Sequence, residues 1–307
     1  MMHDFTQHRW PTLSQPDIDQ LLKIVLHEDL QTVGDLTCLA LVPETAQGAA
    51  RITARIDGIL AGVPLVQKIL SLVDARLVWE NGLADAAEFA RGDVIGTIHG
   101  PARGLLIAER PVLNFLGRLS GIATLTKRYV DAVQGMNAEI YDTRKTTPGW
   151  RQLEKYAVVC GGGRNHRAGL YDAVLIKDNH LALGREGDEP FSPADAVIRA
   201  KEFLRERFGE PLPIVEVEVD TLEQFRAVLP AEPDIVLLDN MTVPQLLEAV
   251  RIRNLANSGV QLEASGGITL ETVRSIAESG VERLSVGALT HSAVSLDFGL
   301  DWQPSRR

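Results

Sequence analysis

A chain of 307 residues with 45% hydrophobic and 23% charged residues has the composition of a globular protein, long enough for one sizeable α/β core and a smaller partner. Its formal charge of −10 argues against nucleic acid or an anionic membrane as partner, and no apolar run approaches the roughly 20 residues of a membrane span. Two cysteines, Cys38 and Cys160, make no disulfide framework and lack metal-ligand spacing, and the polar first residues lack a secretory signal's apolar core, so a cytoplasmic, reducing setting is expected.

Along the chain, Ser14 is placed to cap a helix over 17–28, where Ile18, Leu21, Leu22, Val25 and Leu26 follow the helical period. Ala50, Ile52, Ala54 and Ile56 alternate with polar residues, as in a half-buried strand. A helix over 64–73 and strands near 76–79 and 94–99 follow. Gly100, Pro101 and Gly104 punctuate the chain before a long helix predicted to start at Pro111 and run to about residue 133. The first third is thus α+β.

Beyond Gly135 the pattern changes. Strand-like runs at 138–141, 173–176, 214–217, 235–238, 260–263 and 284–286 alternate with helical stretches at 150–159, 193–208, 222–228, 243–254 and 270–279. Such alternation means parallel βαβ units. Six strands fit a barrel short of eight or one with a seventh strand hidden; an open doubly wound sheet is the alternative.

Polar residues end these strands in succession: Asp142-Thr143-Arg144-Lys145, Lys177-Asp178-Asn179-His180, Glu216 with Glu218, Asp239-Asn240, Ser265-Gly266-Gly267 and Gly287. In parallel barrels that end carries the active site. Between Asp142 and His180 seven Lys/Arg face four acids, a basic stretch in an acidic chain. Arg144, Lys145, Arg167 and Lys177 converging on one mouth require an anionic ligand, because unpaired buried charge is costly. Glu218 and Asp239, on neighbouring strands, suit Mg²⁺ or ion pairs with those cations. Ser265-Gly266-Gly267, ahead of the helix predicted from 270, and Val286-Gly287-Ala288 suit phosphate, since glycine lets the backbone approach an anion. Gly161-Gly162-Gly163 lacks the lysine of a P-loop and reads as a flexible loop presenting Asn165, His166 and Arg167.

The stretches Asp142–Gly149, Gly161–Arg167 and Ile176–His180 closely resemble the quinolinate phosphoribosyltransferase family. The likeness extends to Glu28-Asp29-Leu30 with Gly34-Asp35 and Thr37, Ala108-Glu109-Arg110 with Leu113–Leu116, Ser120–Thr124, Leu237–Met241, Glu263–Gly267 and Ser285–His291. The resemblance implies an α/β fold: an N-terminal α/β sandwich domain over 1–134, an incomplete (open) α/β barrel with parallel strands over 135–290, and a tail over 291–307 packing back on the first domain. It implies Mg²⁺ as cofactor, with quinolinate and phosphoribosyl pyrophosphate as substrates. Arg110, Arg144, Arg167 and Lys177 are then expected around the quinolinate carboxylates, with Thr143, Lys145 and His166 beside them. Glu218 and Asp239 fall at the ribose and metal, and Ser265, Gly266, Gly267, Val286, Gly287 and Ala288 at phosphate. Lys145, Lys177, Glu218 and Asp239 form the expected catalytic set, Lys145 as candidate proton donor. The same resemblance implies a homodimer or larger homo-oligomer with Arg110 serving the partner's site.

The expected reaction is decarboxylating pentosyl transfer to quinolinate, giving nicotinate mononucleotide, pyrophosphate and CO₂ for NAD biosynthesis. A related transferase acting on another aromatic acid or nucleobase, and a non-catalytic metabolite-binding barrel, are the competing readings.

Overall fold

The computed structural model describes residues 4–186 and 189–303. In chain order its elements begin with α1 (Gln15–Leu30), α2 (Leu36–Leu41), β1 (Gln47–Ala54), β2 (Gly58–Ile59), α3 (Val63–Val73), β3 (Val78–Glu80), β4 (Glu88–Phe89), β5 (Val94–Pro101) and α4 (Ala102–Ala132). They continue with β6 (Glu139–Tyr141), α5 (Arg151–Cys160), β7 (Val174–Ile176), α6 (Asp178–Leu183), the small hairpin β8 (Arg185–Glu186) and β9 (Glu189–Pro190), α7 (Pro193–Phe208), β10 (Val215–Val219) and α8 (Leu222–Val228). The last are β11 (Ile235–Asp239), α9 (Val243–Leu255), β12 (Gln261–Ser265), α10 (Val273–Ala277), β13 (Arg283–Ser285), α11 (Ala288–His291) and β14 (Phe298–Trp302).

These elements form two compact units, neither continuous in sequence. One comprises residues 8–127, 146–162 and 289–303; the other comprises residues 4–7, 128–145 and 163–288. The expected division at 134 and 290 therefore differs from the contacts, which shift these boundaries to 127/128 and 288/289 and reassign two further segments. Residues 146–162, with α5, belong with the sandwich elements, and residues 4–7 belong with the barrel strands.

The first unit is built on a four-stranded antiparallel sheet in the order β14-β1-β5-β3. The alternation read from the sequence holds through Ala50 and Ile52, which are buried, with Arg51 exposed; Thr53 is buried along with Ala54, and Ile56 lies past the strand end and is exposed. Ser14 occupies the N-cap of α1, but its side chain makes no capping bond. The largest correction concerns α4. It starts at Ala102, nine residues before Pro111, which lies inside the helix. The glycines at 100 and 104 do not break it. Gly100, with φ +141°, is the penultimate residue of β5, and Gly104 is already helical. Two further glycines let the chain before β14 press onto α4. Leu296 N–H donates to Gly117 O at 2.9 Å, and a Cβ on Gly121 would stand 2.1 Å from Val294 O.

The second unit is a six-stranded parallel sheet in the order β6-β13-β12-β11-β10-β7. Its first strand in sequence pairs with its last, a cyclic order that excludes the doubly wound alternative and makes a barrel. The hidden seventh position is occupied by one residue. Arg164 forms a parallel bridge to Tyr141, donating to Ile140 O at 2.8 Å and accepting from Asp142 N at 3.0 Å. Among the described residues no ladder joins this segment to β7, so the barrel stays open there. The glycine triplet thus leads into a paired segment rather than a flexible loop.

Side chains alternate along each barrel strand. Val215, Val217, Val219, Val236, Leu238, Leu262, Ala264 and Leu284 form the aliphatic face. The other face carries Glu216, Glu218, Leu237, Asp239, Glu263, Ser265, Arg283 and Ser285. Register sets Glu218 beside Leu237, Leu237 beside Glu263, Glu263 beside Arg283, and Asp239 beside Ser265. The interior is therefore largely polar, floored by an apolar cluster of Phe5, Ala173, Ile214 and Ile235.

Gly121→Ala is expected to cost about 3 kcal/mol, because backbone on both sides must move. Gly135→Ala, whose Cβ meets nothing within 4 Å but whose φ is +84°, is expected to cost about 1–2 kcal/mol. Urea unfolding of both variants measures the difference; equal losses would show that the α4 contact is slack.

Candidate active site

The C-terminal ends of the barrel strands gather the polar residues. β6 runs into Asp142, which is fully buried and accepts from Asn165 Nδ2 at 2.7 Å and from His166 N at 2.9 Å. That carboxylate ties the segment after β6 to the 163–167 segment. Thr143 Oγ1 accepts from Lys145 N at 3.0 Å; Arg144 is half-buried and Lys145 exposed. Arg167 is buried and donates to Ala173 O at 3.0 Å. Desolvation, and then the neighbouring Arg144, push its guanidinium pKa below the ordinary value. Two cations held together at partial burial favour an anion between them.

At the end of β7, Lys177 caps α6: its N–H donates to His180 Nδ1 at 3.0 Å, and its ammonium pairs with Glu218. Burial raises the Glu218 carboxyl pKa, Lys177 opposes the shift, and Asp239 and Asp178 add to it. Asp239 closes β11, and its Oδ2 accepts from Asn240 Nδ2 at 2.7 Å. Asn240 has φ +53°, and its N–H donates to Ser265 O at 2.9 Å. Gly266 (φ +97°) then passes so close that a Cβ would stand 2.1 Å from Asn240 Oδ1. Val286 N donates to Tyr141 O at 2.9 Å, bringing Gly287 and Ala288 to the same end of the barrel. The helix expected at 270 begins at Val273. Residues 269–272 form a turn in which Thr269 N donates to Thr272 Oγ1 at 3.0 Å, so backbone at Gly266 and Gly267, not a helix end, follows Ser265.

Below this layer lies a buried charged network. Arg283, 1% exposed, donates from Nε to Glu263 Oε2 at 3.0 Å, and from Nη1 to Asp4 Oδ1 at 3.0 Å and Gln261 Oε1 at 3.2 Å. Its guanidinium lies 3.7 Å from the Tyr141 ring centroid and 5.0 Å from that of Phe5. His166 Nε2 stands 2.9 Å from Glu216 Oε2 and 3.5 Å from Glu263 Oε1, while its Nδ1 accepts from Arg167 N at 2.8 Å. Burial, and then Glu216, raise the Glu263 carboxyl pKa against the pull of His166 and Arg283. His166, Glu216 and Glu263 could by proximity hold a cation, their ligand atoms lying within 4.8 Å of one another. The Arg167 N–H occupies the Nδ1 lone pair, however. The proton of a neutral ring then sits on Nε2, where a metal would have to bind.

The family model described as quinolinate phosphoribosyl transferase, C-terminal domain, matches residues 122–301, and that for the N-terminal domain matches residues 35–120. The chain belongs to the quinolinate phosphoribosyltransferase family. It is 44% identical over 284 residues to the nicotinate-nucleotide pyrophosphorylase [carboxylating] of Mycobacterium leprae, covering 91% of this chain and 95% of that one. The solved structure of the Francisella tularensis nicotinate-nucleotide pyrophosphorylase superposes with a TM-score of 0.86 at 34% identity, over 97% of this chain and 100% of that one. Streptococcus pyogenes NadC gives a TM-score of 0.83 at 36% identity, over 95% and 99% of the two chains.

In this member of the family, Thr143, Arg144, Lys145, Lys177, Glu218, Asp239, Ser265, Gly266, Gly267, Val286, Gly287 and Ala288 all lie at one end of the barrel strands. His166 follows the same segment, but its ring turns inward to Glu216 and Phe5. Arg110 is exposed and pairs with Glu109 at 3.4 Å. It sits in the third turn of α4, not ahead of a helix starting at Pro111 as the sequence predicts. The sequence reading missed Arg283, Glu263 and Asp4 as a buried network. Asp4 and Arg283 are 279 residues apart, and no local pattern could pair them.

Arg283→Gln leaves Glu263 and Asp4 without their guanidinium. The expected loss is about 3–5 kcal/mol in urea unfolding, the usual penalty for stranding one half of a buried ion pair. A loss below about 1 kcal/mol would mean that the network contributes little to stability.

Proposed function

We propose that the chain transfers a phosphoribosyl group from phosphoribosyl pyrophosphate to quinolinate with decarboxylation, yielding nicotinate mononucleotide, pyrophosphate and CO₂ for NAD biosynthesis. The observation that carries this reading is one strand end holding Arg144 and Lys177 against Glu218 and Asp239, with Arg167 near Arg144, in a chain of this family. The cations suit a dicarboxylate, and the Ser265–Gly267 and Val286–Ala288 segments suit phosphate.

Glu218 and Asp239 offer hard oxygen donors that fit Mg²⁺. Lys177 engages Oε2 of the first and Asn240 engages Oδ2 of the second, which leaves one oxygen of each among the described contacts. When bound, the ion would supply charge stabilisation to the departing pyrophosphate. The protein's own residues do the rest by positioning and electrostatics. Arg144, Arg167 and Lys177 hold the carboxylates so that the ring nitrogen faces C1 of the ribose, and Glu218 orients the ribose while restraining Lys177. Once ribosylated, the ring nitrogen is cationic and stabilises the carbanion left by CO₂. Lys145, exposed at the mouth, is the proposed proton donor to that carbon. We place this work in a reducing, cytoplasmic setting, in keeping with two free cysteines; among the described residues no helix is long and apolar enough to cross a membrane.

Incubation with quinolinate, phosphoribosyl pyrophosphate and Mg²⁺ is expected to release CO₂ and form nicotinate mononucleotide. Nicotinate and nicotinamide in place of quinolinate are expected to react at least about tenfold more slowly, because each strands a cation that quinolinate pairs. Equal turnover of quinolinate and nicotinate would refute the dicarboxylate assignment.

We further propose a homodimer in which Arg110 serves the partner's site. Arg110→Ala and Lys177→Ala are each expected to be nearly inactive. Random exchange makes about half the dimers mixed, each with one doubly damaged and one intact site, so roughly a quarter of all sites recover. Mixtures that stay as inactive as the parents, with exchange verified by mass, would place Arg110 in its own chain's site or in none.

A further inference from the structure

Glu216 is fully buried on a barrel strand, and the proposed chemistry does not use it. A buried carboxylate is costly to keep unless it is matched, so its surroundings indicate its task. Its neighbour Glu263 is matched by Arg283, which Asp4, Gln261 and Tyr141 hold in turn. Glu216 lies against a different group, the imidazole of His166, with Oε2 2.9 Å from Nε2; the contact is electrostatic, since among the described residues neither Glu216 oxygen accepts an aligned hydrogen bond.

His166 is constrained on several sides. Its main-chain N–H donates to buried Asp142, and the Phe5 ring covers it at a centroid distance of 4.5 Å and an angle of 30°. Its Nδ1 accepts the N–H of Arg167. An imidazole nitrogen that accepts a hydrogen bond carries no proton, so in the neutral ring the proton lies on Nε2, facing Glu216. The opposite tautomer would set an Nδ1–H against the Arg167 N–H and the Nε2 lone pair against a carboxylate, repulsive at both ends. Glu216 therefore selects the tautomer that lets His166 hold the main chain of the next residue. That residue is Arg167, whose guanidinium is anchored at Ala173 O and also feels the attraction of Glu216.

We infer that Glu216 is a positioning residue: by fixing the His166 ring with its proton on Nε2, it sets the main chain of Arg167 and so aims that guanidinium at the acidic substrate. The inference rests on the proposed reading of Arg167 as a carboxylate-binding residue. It assigns His166 a role through Arg167 rather than through its own ring nitrogens, both of which face protein groups.

The test combines kinetics with a measurement that needs no turnover. Glu216→Gln keeps size and removes charge. It is expected to raise KM for quinolinate by about tenfold, while KM for phosphoribosyl pyrophosphate and kcat stay within about twofold and the urea midpoint does not fall. In parallel, ¹⁵N-histidine NMR of the intact protein, with the His166 signals assigned by their loss in His166→Asn, is expected to show a neutral ring protonated on Nε2 in the wild type. In Glu216→Gln the same signals are expected to shift toward a mixture of tautomers. An Nδ1-protonated or doubly protonated His166 in the wild type overturns the inference. So does a Glu216→Gln variant with unchanged KM for quinolinate, or one in which both KM values rise and stability falls together, which marks general structural damage. If the wild type turns over no quinolinate, the proposed activity fails, while the NMR arm still judges the tautomer.

Discussion

Charge buried inside the barrel is the constraint on which the rest of this structure depends. Glu216, Glu263 and Arg283 are each essentially inaccessible on inward-facing strand positions, and His166 and Arg167 join them from the segment that bridges to β6. A carboxylate or guanidinium in such a place is tolerated only with its counter-charges and hydrogen bonds in position. The cyclic strand order supplies the counter-charges. Pairing of β12 with β13 sets Glu263 beside Arg283, and the chain near its N-terminus brings Asp4 and Phe5 to the other side of the same guanidinium. The network ties together residues far apart in sequence, so the interior forms as a whole or leaves charge stranded.

The same physics acts differently at the strand ends. There Arg144 and Glu218 are half-buried beside buried Arg167, and like charges stand close together. Burial, and then Arg144, lower the Arg167 guanidinium pKa, whereas burial raises Glu218, with Lys177 opposing and Asp239 and Asp178 adding to the rise. Like charges gathered at one mouth are unfavourable alone and become favourable when an anion, or a cation on the acidic side, enters. The interior network is held by charge pairing, although among the described residues Glu216 Oε1 and Oε2, Glu263 Oε1 and Arg283 Nη2 make no hydrogen bond.

The other compact unit handles its buried charge in a similar way. Glu154, with no exposed side-chain surface, accepts from Arg118 and from both the N–H and the hydroxyl of Thr147, while Arg118 also donates to the carbonyls of Thr290 and Ala293. Three distant stretches meet at one ion pair, which is why residues 146–162 and 289–303 belong with α4 rather than with their neighbours in sequence. Stacking of Trp150 on Phe115, with centroids 4.4 Å apart, reinforces that association.

The sequence by itself determined much of the plan. Strand-and-helix alternation after Gly135 located all six barrel strands, because parallel strands covered by helices are short aliphatic runs with polar ends. It also placed Arg144, Lys177, Glu218 and Asp239 at strand ends, since chemistry-bearing residues there interrupt an otherwise apolar pattern. Local rules misjudged the start of α4, where Gly100, Gly104 and Pro111 look like punctuation but the packed helix overrides weak propensities. Only the tertiary structure decided that the barrel closes by pairing β6 with β13, that Arg164 stands in for a seventh strand, and that Asp4, Glu216, Glu263 and Arg283 form one interior. Those facts depend on residues brought together across up to 279 positions of chain, and a contact at that separation leaves no trace in local period or composition.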